Sequence, residues 1–258
     1  LMGKFSGKTG VIRPTFEEYP NRYTDEDTVV FTPQNADFSY TEKDVMEYFD
    51  DKDIDNLIII NPDNPTGNYI TKAGVIALVA WAKGKGIKIV IDESFVDFAD
   101  EVDSTIIDQD IIDGNEHLYI MKSISKSYGV PGLRLGVLAS GDTAMIAALK
   151  KDVAIWNINS FGEFYLQIAE KYKKDYEVAL TKIRAERARF VEELGKISGL
   201  RIIPSQANYV MIEICSGMTA KALTKKLLVE YNLFVKDLST KVKGGQFLRI
   251  AVRDTDDN

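Results

Sequence analysis

A lysine, two serines and an arginine lie close together between two apolar runs of the sequence. They are Ser123, Ser125, Lys126 and Arg134. The hydroxyls and the guanidinium are groups that bind a phosphate dianion, and a neutral lysine amine forms an imine with an aldehyde. A lysine beside a phosphate site indicates a pyridoxal phosphate cofactor. For the Ser-x-Ser-Lys pattern alone, a solvated turn is the alternative interpretation.

Two further polar segments follow apolar runs that predict buried strands. The segment Asn61–Gly67 follows the run 57–60, and Asp92 follows the run 87–91. A third apolar run, 118–121, leads into the lysine segment. In open α/β sheets, ligands bind in the crevice at the carboxyl ends of the strands. The sequence therefore predicts a ligand site at that edge of the sheet.

These segments, in this order, resemble the fold-type I pyridoxal-phosphate enzymes of the class I/II aminotransferase family, in particular the histidinol-phosphate aminotransferase branch, which also includes a threonine-phosphate decarboxylase. The shared motifs are Asn-Pro-Thr-Gly at 64–67, Ser-x-Ser-Lys at 123–126 and Gly-Leu-Arg-x-Gly at 132–136. The resemblance implies an α/β fold, with a PLP-transferase-like large domain whose mostly parallel sheet is sandwiched by helices, and a small α+β C-terminal domain.

The resemblance also implies a division of the chain into two domains. We predict a large cofactor-binding domain over residues 1–165, and a long connecting helix with the small domain over 166–258. Helical spacing of apolar residues over 161–194 predicts one long helix or a bent pair. Beyond it we predict short strands at 200–203, 209–214, 233–235 and 247–252, and one helix at 219–230. Because family members are longer, we expect the sequence to be a fragment that lacks the Gly-rich phosphate loop and the last helix.

The motifs carry over cofactor-binding roles to individual residues. Lys126 would hold the cofactor as a Schiff base and move protons, and Asp92 would pair with the protonated pyridine nitrogen. Phe16 would stack on the ring, and Asn64 would donate a hydrogen bond to its phenolic oxygen. A core phenylalanine and a helix-capping aspartate are the structural alternatives for Phe16 and Asp92. The phosphate would be bound by Ser123, Ser125 and Arg134.

Other residues would face the substrate. Arg249, within the Leu-Arg-Ile-x-Val pattern, resembles the family arginine that binds the substrate carboxylate. Asn157 and Asn159 belong to a Trp-Asn-x-Asn-Ser run that resembles a segment lining the substrate side, although helix capping is an equal alternative for Asn159. Phe95 departs from the family's aminotransferases, which usually carry tyrosine at that position.

Bulk composition restricts the classes of function. The chain has 258 residues and a formal net charge of −7, which disfavours a polyanion-binding surface. A single cysteine excludes an internal disulfide and gives no sign of a structural metal site. The only histidine, His117, lies on a polar turn and is interpreted as structural. We expect a cytoplasmic protein with no nucleic-acid, membrane or metal role, and by resemblance a homodimer.

We therefore predict an aminotransferase that uses pyridoxal 5'-phosphate to move an amino group between an amino acid, or a phosphorylated amino compound, and a 2-oxo acid. Loss of the carboxylate from Cα would instead make the same residues a decarboxylase of the threonine-phosphate type, and Phe95 and the Trp156 segment keep that alternative open. A non-catalytic domain of a larger protein is a further alternative, and the fragment itself could be inactive.

Overall fold

The computed structural model describes residues 1–258 and contains two separate sheets. The first sheet is built from six strands, which are β1 (Thr9–Ile12), β2 (Thr28–Phe31), β3 (Asn56–Ile60), β4 (Lys88–Asp92), β5 (Leu118–Ser123) and β6 (Gly136–Ala139). Their order in space is β2-β1-β3-β4-β5-β6. All neighbouring strands are parallel except β5 and β6, which are antiparallel. The predicted α/β fold with a mostly parallel sheet is confirmed.

Helices connect these strands and cover the sheet. They are α1 (Glu42–Phe49), α2 (Lys72–Lys85), α3 (Gln109–Asp113), α4 (Ile124–Ser127), α5 (Thr143–Asp152) and α6 (Ser160–Ala169). The side chain of Thr41 caps α1 through a capping box with Asp44, and Thr71 caps α2 by accepting a hydrogen bond from the amide of Gly74. Gly86 ends α2 in the left-handed conformation that glycine adopts without steric cost.

Successive residues of the central strands are buried on opposite faces of the sheet. Leu57 and Ile59 pack with α1 and α2 in the main core, whereas Ile58 and Ile60 pack on the other face with Val90. Each fully buried aliphatic side chain contributes about 1.5–3 kcal/mol. Because both faces are covered, the carboxyl edge of the sheet is a rigid support for the polar residues that follow β3, β4 and β5.

The second sheet lies in the C-terminal part of the chain. After α7 (Lys173–Gly195) come β7 (Leu200–Ile203), β8 (Tyr209–Ile214), α8 (Ala220–Tyr231), β9 (Lys236–Asp237) and β10 (Phe247–Ala251). The strand order is β7-β8-β10-β9, and all pairs are antiparallel. The predicted domain boundary after residue 165 falls inside α6, and the division into two domains remains a prediction.

The structure decides between two predicted helical alternatives and corrects one predicted strand. The long helical pattern is divided into α6 and α7 by a 3-10 turn at Glu170–Tyr172, which is the bent pair rather than one helix. The strand predicted at 233–235 is wrong, because α8 ends at Asn232 in the left-handed conformation and only Lys236 and Asp237 reach β10. None of the helices has both the length and the apolar character needed to cross a membrane.

Candidate active site

A cleft of about 910 Å³ opens at the carboxyl ends of β4 and β5. Five of the predicted cofactor residues line it together, which are Phe16, Asp92, Ser123, Lys126 and Arg134. The ring of Phe16 remains 43% exposed and meets the ring of Tyr19 edge-on, with a centroid distance of 6.3 Å. The sheet therefore brings distant segments to one edge, as the parallel topology requires.

Asp92 is the last residue of β4, and the protein fixes both of its carboxylate oxygens. Oδ1 accepts a 2.9 Å hydrogen bond from the backbone amide of Ser94, and Oδ2 accepts a 2.5 Å hydrogen bond from the hydroxyl of Tyr19. Burial, followed by the adjacent Asp92 carboxylate, raises the pKa of Tyr19 well above its ordinary value. Tyr19 thus stays a donor, and Asp92 is held as an oriented acceptor.

Lys126 lies in the short helix α4, immediately after β5. Its Nζ is 5.6 Å from the ring centroid of Phe95, and no carboxylate lies within ion-pair distance of it. The neighbouring Lys122 differs, because its Nζ forms a 2.6 Å ion pair with Asp97. Lys122 is therefore engaged in the structure, while the amine of Lys126 is exposed and open to an incoming group.

The three residues predicted to bind a phosphate offer donors that the protein leaves unused. The Oγ of Ser125 is buried and has no hydrogen-bond partner. Arg134 has a left-handed backbone, with φ at 58°, and its guanidinium bonds only to the carbonyl of Pro131. Ser123 leads into α4, and its amide donates to Ser94 Oγ at 3.0 Å. The unused hydroxyl of Ser125 and the charged guanidinium of Arg134 are donor types that fit the phosphate of pyridoxal phosphate, and of the three residues Ser123 and Arg134 line the cleft.

Asn64 and Arg249 meet across the two sheets. Arg249 Nη1 donates a 2.6 Å hydrogen bond to Asn64 Oδ1, and the guanidinium lies 5.0 Å from the ring centroid of Tyr209. The side-chain nitrogen of Asn64, Nδ2, has no partner within the chain and is available as a donor, which is the role that the resemblance implies; the backbone nitrogen donates to Asp63. The predicted carboxylate-binding arginine is thus anchored next to a predicted cofactor residue.

The Trp-Asn-x-Asn-Ser segment lies outside the lining of the cleft. Asn159 is the N-cap of α6, where its Oδ1 accepts from the amide of Gly162 and its Nδ2 donates to the carbonyl of Leu133, both at 2.9 Å. Asn157 is exposed and forms no side-chain hydrogen bond within the chain. The substrate-binding role of both asparagines remains a prediction.

Sequence patterns did not reveal the contacts of two residues of this region. Tyr19 contacts Asp92 from 73 positions away, and its spacing within its own segment does not indicate which side chain it meets. Asp63 reads as a turn residue in the sequence, yet it is only 1% exposed. The contact of Tyr19 with Asp92 and the burial of Asp63 both depend on how separate loops come together at the sheet edge.

The chain matches the family model for aminotransferase class I and II over residues 8–258. A CMP-5'-(3-aminopropyl)phosphonate synthase from Streptomyces rubellomurinus is 30% identical over 260 residues, which cover 100% of this chain and 41% of that protein. An L-serine phosphate decarboxylase from Sulfurospirillum multivorans is 33% identical over 258 residues, with 97% of this chain and 65% of that protein covered. The chain thus spans less than two thirds of these relatives.

Solved structures show the same relationship. A decarboxylase from Sulfurospirillum multivorans superposes with a TM-score of 0.86 at 31% identity, covering 97% of this chain and 72% of that one. The histidinol-phosphate aminotransferase from Clostridium acetobutylicum superposes with a TM-score of 0.85 at 28% identity, covering 97% and 74%. The chain therefore belongs to the class I and II aminotransferase family, whose members have the fold-type I architecture and use pyridoxal 5'-phosphate.

Proposed function

We propose that the chain binds pyridoxal phosphate and acts at the Cα of a small amino acid that carries a phosphate group. The observation that carries this proposal is a pair of opposed cations, one of which bonds to Asn64. Arg249 on β10 lies directly opposite Lys236 on β9, a like-charge arrangement that costs stability unless an anion binds there. A substrate with a carboxylate and a phosphate would supply that anionic charge.

Lys241 strengthens the argument for a strongly anionic ligand. Its side chain is half-buried, and burial lowers its pKa, while Arg249 and Lys236 lower it further and Glu17 opposes them. Three cations therefore lie near one another, with Glu17 and the buried Asp63 as the acids that act on Lys241. The serine phosphate decarboxylase and the histidinol-phosphate aminotransferase among the similar proteins carry phosphorylated compounds in their names, which supports the same class of substrate.

The cofactor would be held by residues that line the cleft, together with the buried Ser125, which is not part of the lining. Ser125 and Arg134 would bind its phosphate together with Ser123, and Asp92 would keep a proton on the ring nitrogen. Phe16 would cover one ring face. When bound, the ring withdraws electrons from the substrate Cα. The donated bond from Tyr19 holds the Asp92 carboxylate in the orientation that this pairing needs.

The remaining steps belong to Arg249 and Lys126. Arg249 would bind the substrate carboxylate in a two-pronged pair and fix the orientation of Cα. In decarboxylation, the Cα–carboxylate bond breaks and the ammonium of Lys126 delivers a proton to Cα. In transamination, the amine of Lys126 instead removes the proton from Cα. The same residues can serve both reactions, so the bond that is broken depends on how the substrate lies relative to the cofactor.

We propose decarboxylation first, because the serine phosphate decarboxylase and the solved decarboxylase are 33% and 31% identical to this chain. Phe95 agrees with this choice, since it lacks the hydroxyl that the family's aminotransferases usually carry. Transamination is the second candidate, supported by histidinol-phosphate aminotransferases at 28% and 31% identity. A non-catalytic role predicts that neither reaction takes place.

A spectral titration tests cofactor binding. We expect added pyridoxal phosphate to produce a visible absorption band that Lys126→Ala abolishes. Lys151→Ala is the matched control, because Lys151 is an exposed lysine on α5 without an ion-pair partner. A band that persists in Lys126→Ala would exclude Lys126 as the attachment residue. The absence of a band in all three proteins would support the non-catalytic alternative.

A product analysis separates the two reactions. The cofactor-loaded protein is incubated with O-phospho-L-serine, with and without a 2-oxo acid as amino acceptor. Release of carbon dioxide without acceptor indicates decarboxylation, and formation of a new amino acid from the acceptor indicates transamination. Unphosphorylated L-serine is the control substrate, and equal turnover of both compounds would contradict the proposed phosphate recognition.

We also propose that the protein is a homodimer. Four large apolar side chains in the segment 155–164, which comes after the cleft-lining residues in the sequence, are exposed to solvent. They are Ile155 (92%), Trp156 (90%), Phe161 (78%) and Phe164 (62%). A patch of this kind on a soluble domain marks an interaction surface. Sedimentation of the wild type and of Trp156→Ser/Phe161→Ser tests the proposal: a dimer that becomes a monomer supports it, and a monomeric wild type contradicts it.

A further inference from the structure

Asp63 is a buried acid without a counterion at the junction of several loops. It is 1% exposed, and no lysine or arginine lies within ion-pair distance of its carboxyl group. Its Oδ1 accepts a 2.7 Å hydrogen bond from the amide of Asn64 and a long one, 3.5 Å, from Thr15 Oγ1. Its Oδ2 accepts a 3.4 Å hydrogen bond from the hydroxyl of Tyr40. One carboxyl group thus connects three chain segments.

The connected segments carry candidate active-site residues. Thr15 precedes Phe16, and the amide that Asp63 binds belongs to Asn64 itself. The second sheet joins the same junction, because the hydroxyl of Tyr209 donates a 2.6 Å hydrogen bond to the carbonyl of Asp63. Lys241 also reaches it, donating to the carbonyl of Thr15 at 3.4 Å.

The charged and titratable groups around this carboxyl come from every element that packs on it. The aromatic hydroxyls are those of Tyr40 and Tyr209. Of the charged groups, Lys241 in the loop after β9 acts on Asp63 itself. Arg249 on β10 and Asp92 at the end of β4 act on the neighbouring Tyr209, and Glu17 acts on Lys241. Burial raises the pKa of Asp63 to about 7, against the opposing effects of the Asn64 amide, Tyr40, Thr15 and Lys241. The carboxyl is therefore protonated in mildly acidic solution and ionises near neutrality.

We propose that Asp63 is a positioning residue which, as a neutral acid, holds the loop of Phe16 and the loop of Asn64 together, and that its ionisation loosens both loops. Ionisation places an unpaired charge in a site from which water is excluded, which the protein relieves by opening. The proposal rests on the proposed function in one respect only, namely that Phe16 and Asn64 contact the cofactor. The clamp itself is a property of the cofactor-free chain.

The sign of the pH dependence follows from linkage. The folded-state pKa of Asp63, about 7, lies above the ordinary value of 3.8. The stability that this group contributes is therefore complete below the ordinary value and is lost as the pH rises through the folded pKa. Asn at position 63 keeps the shape and the acceptor oxygen for the Asn64 amide, but it cannot ionise.

The first test is the melting temperature of the cofactor-free protein as a function of pH. Between about pH 5.5 and about pH 8.5, we expect the Tm of Asp63→Asn minus that of the wild type to rise by about 3–5 °C. Asp25→Asn is the matched control, since Asp25 is exposed and forms no side-chain bond, and its difference should stay constant. Parallel curves for Asp63→Asn and the wild type would overturn the proposal.

If Asp63→Asn does not fold, the pH dependence of Tm in Tyr40→Phe tests the proposal instead. That change removes one donor to the carboxylate, so the pH at which the Tm falls should move upward relative to the wild type. An unchanged midpoint would contradict the proposal. This variant leaves the Asn64 amide bond in place, and therefore it separates the charge of Asp63 from its role as an acceptor.

The second test is hydrogen exchange in the cofactor-free protein at low pH, where Asp63 is neutral. Asp63→Ala should lower protection about tenfold or more in residues 13–17 and 61–67, with little effect on the core of the first sheet. Asp63→Asn should retain protection in both loops. Uniform loss across the whole chain, or no loss in these loops, would overturn the positioning role. Both tests omit the cofactor, so a failure of pyridoxal phosphate binding bears on the proposed function alone.

Discussion

Arg249 Nη1 and Asn64 Oδ1 are joined by a 2.6 Å hydrogen bond that spans 185 positions of the sequence. The bond connects β10 of the second sheet to the loop after β3 of the first. It links the residue proposed to bind the substrate carboxylate with a residue proposed to contact the cofactor. In the proposed site, an anion that draws Arg249 away would release the side-chain carbonyl oxygen of Asn64 and leave its Nδ2 free to donate to the cofactor.

Arg249→Met should weaken the binding of the substrate carboxylate without removing the cofactor. Loss of a charged, two-pronged contact costs about 2–5 kcal/mol, which corresponds to a rise in KM of about 30-fold or more. The affinity for pyridoxal phosphate should change by less than about threefold, because Asn64 keeps its free amide nitrogen. Steady-state kinetics with O-phospho-L-serine and a spectral titration measure the two effects.

Arg253→Met is the control for this change. Arg253 lies four residues further along, is exposed, and bonds with Asp257 at the surface. Its substitution should leave KM within about twofold of the wild type. An equal rise in KM for both variants would mean that long-range charge, rather than a specific contact of Arg249, determines substrate binding.

Arg187 should be the most costly arginine of α7 to remove. It is 4% exposed, and its Nη1 donates to the carbonyls of Phe98 and Ala207 at 2.7 Å and 3.0 Å, while Nη2 pairs with Asp100. Arg187→Met leaves two buried carbonyls without donors, and we expect a loss of about 2–4 kcal/mol in the free energy of unfolding. Urea denaturation of the chain measures it.

The matched control on the same helix is Arg189→Met. The pair that Arg189 forms with Glu186 is partly exposed, and Glu186 keeps its hydrogen bonds from Thr255 and Asn258 when Arg189 is removed, so the loss should cost only about 1 kcal/mol. A similar loss of unfolding free energy in both variants would indicate that removing any arginine weakens α7 itself. The bonds from Arg187 to the 97–100 segment would then not be the cause.

The sequence predicted the first sheet well because its central strands are continuous apolar runs, which only a strand buried on both faces accommodates. The predicted strand 57–60 is an example, within one residue of β3 in the structure. Motif positions also gave the grouping of Asp92 and Lys126 in one cleft.

Contacts between loops could not be predicted in the same way. Tyr19 with Asp92 and Asn64 with Arg249 depend on the relative placement of segments 73 and 185 positions apart. Local patterns carry no information about that placement. At 233–235, apolar composition favoured a strand, but the left-handed Asn232 turns the chain so that only the next two residues pair with β10.

Gly67→Ala should destabilise the loop that carries Asn64. Gly67 has φ at +78°, and a Cβ there would lie 2.1 Å from Ser205 Oγ and 2.9 Å from Ser205 Cα. The substitution therefore combines left-handed backbone strain with a clash against the segment before β8. We expect a loss of about 2 kcal/mol or more in the free energy of unfolding.

Gly84→Ala is the matched control with the opposite sign. Gly84 lies inside α2, and a Cβ at that position meets no atom within 4 Å. Because alanine is the better helix former, this change should stabilise the protein by about 0.5–1 kcal/mol. Denaturant unfolding of both variants checks the pair, and a destabilised Gly84→Ala would show that backbone freedom matters in α2 as well.

Phe95→Tyr should restore a hydroxyl that the family's aminotransferases usually place near the cofactor. Phe95 is 7% exposed, its ring packs edge-on against Tyr209 at 5.1 Å, and it lies 5.6 Å from Lys126 Nζ. A hydroxyl that donates to the phenolic oxygen stabilises the anionic form of that oxygen and weakens the proton affinity of the lysine–cofactor linkage. The pH midpoint of the visible band should therefore fall by about one unit, which corresponds to one hydrogen bond to a charged group.

The control is Phe164→Tyr, at an exposed position of α6, which should leave the midpoint unchanged. A midpoint that stays the same or rises in Phe95→Tyr would mean that position 95 does not face the phenolic oxygen, and the proposed orientation of the cofactor would be wrong.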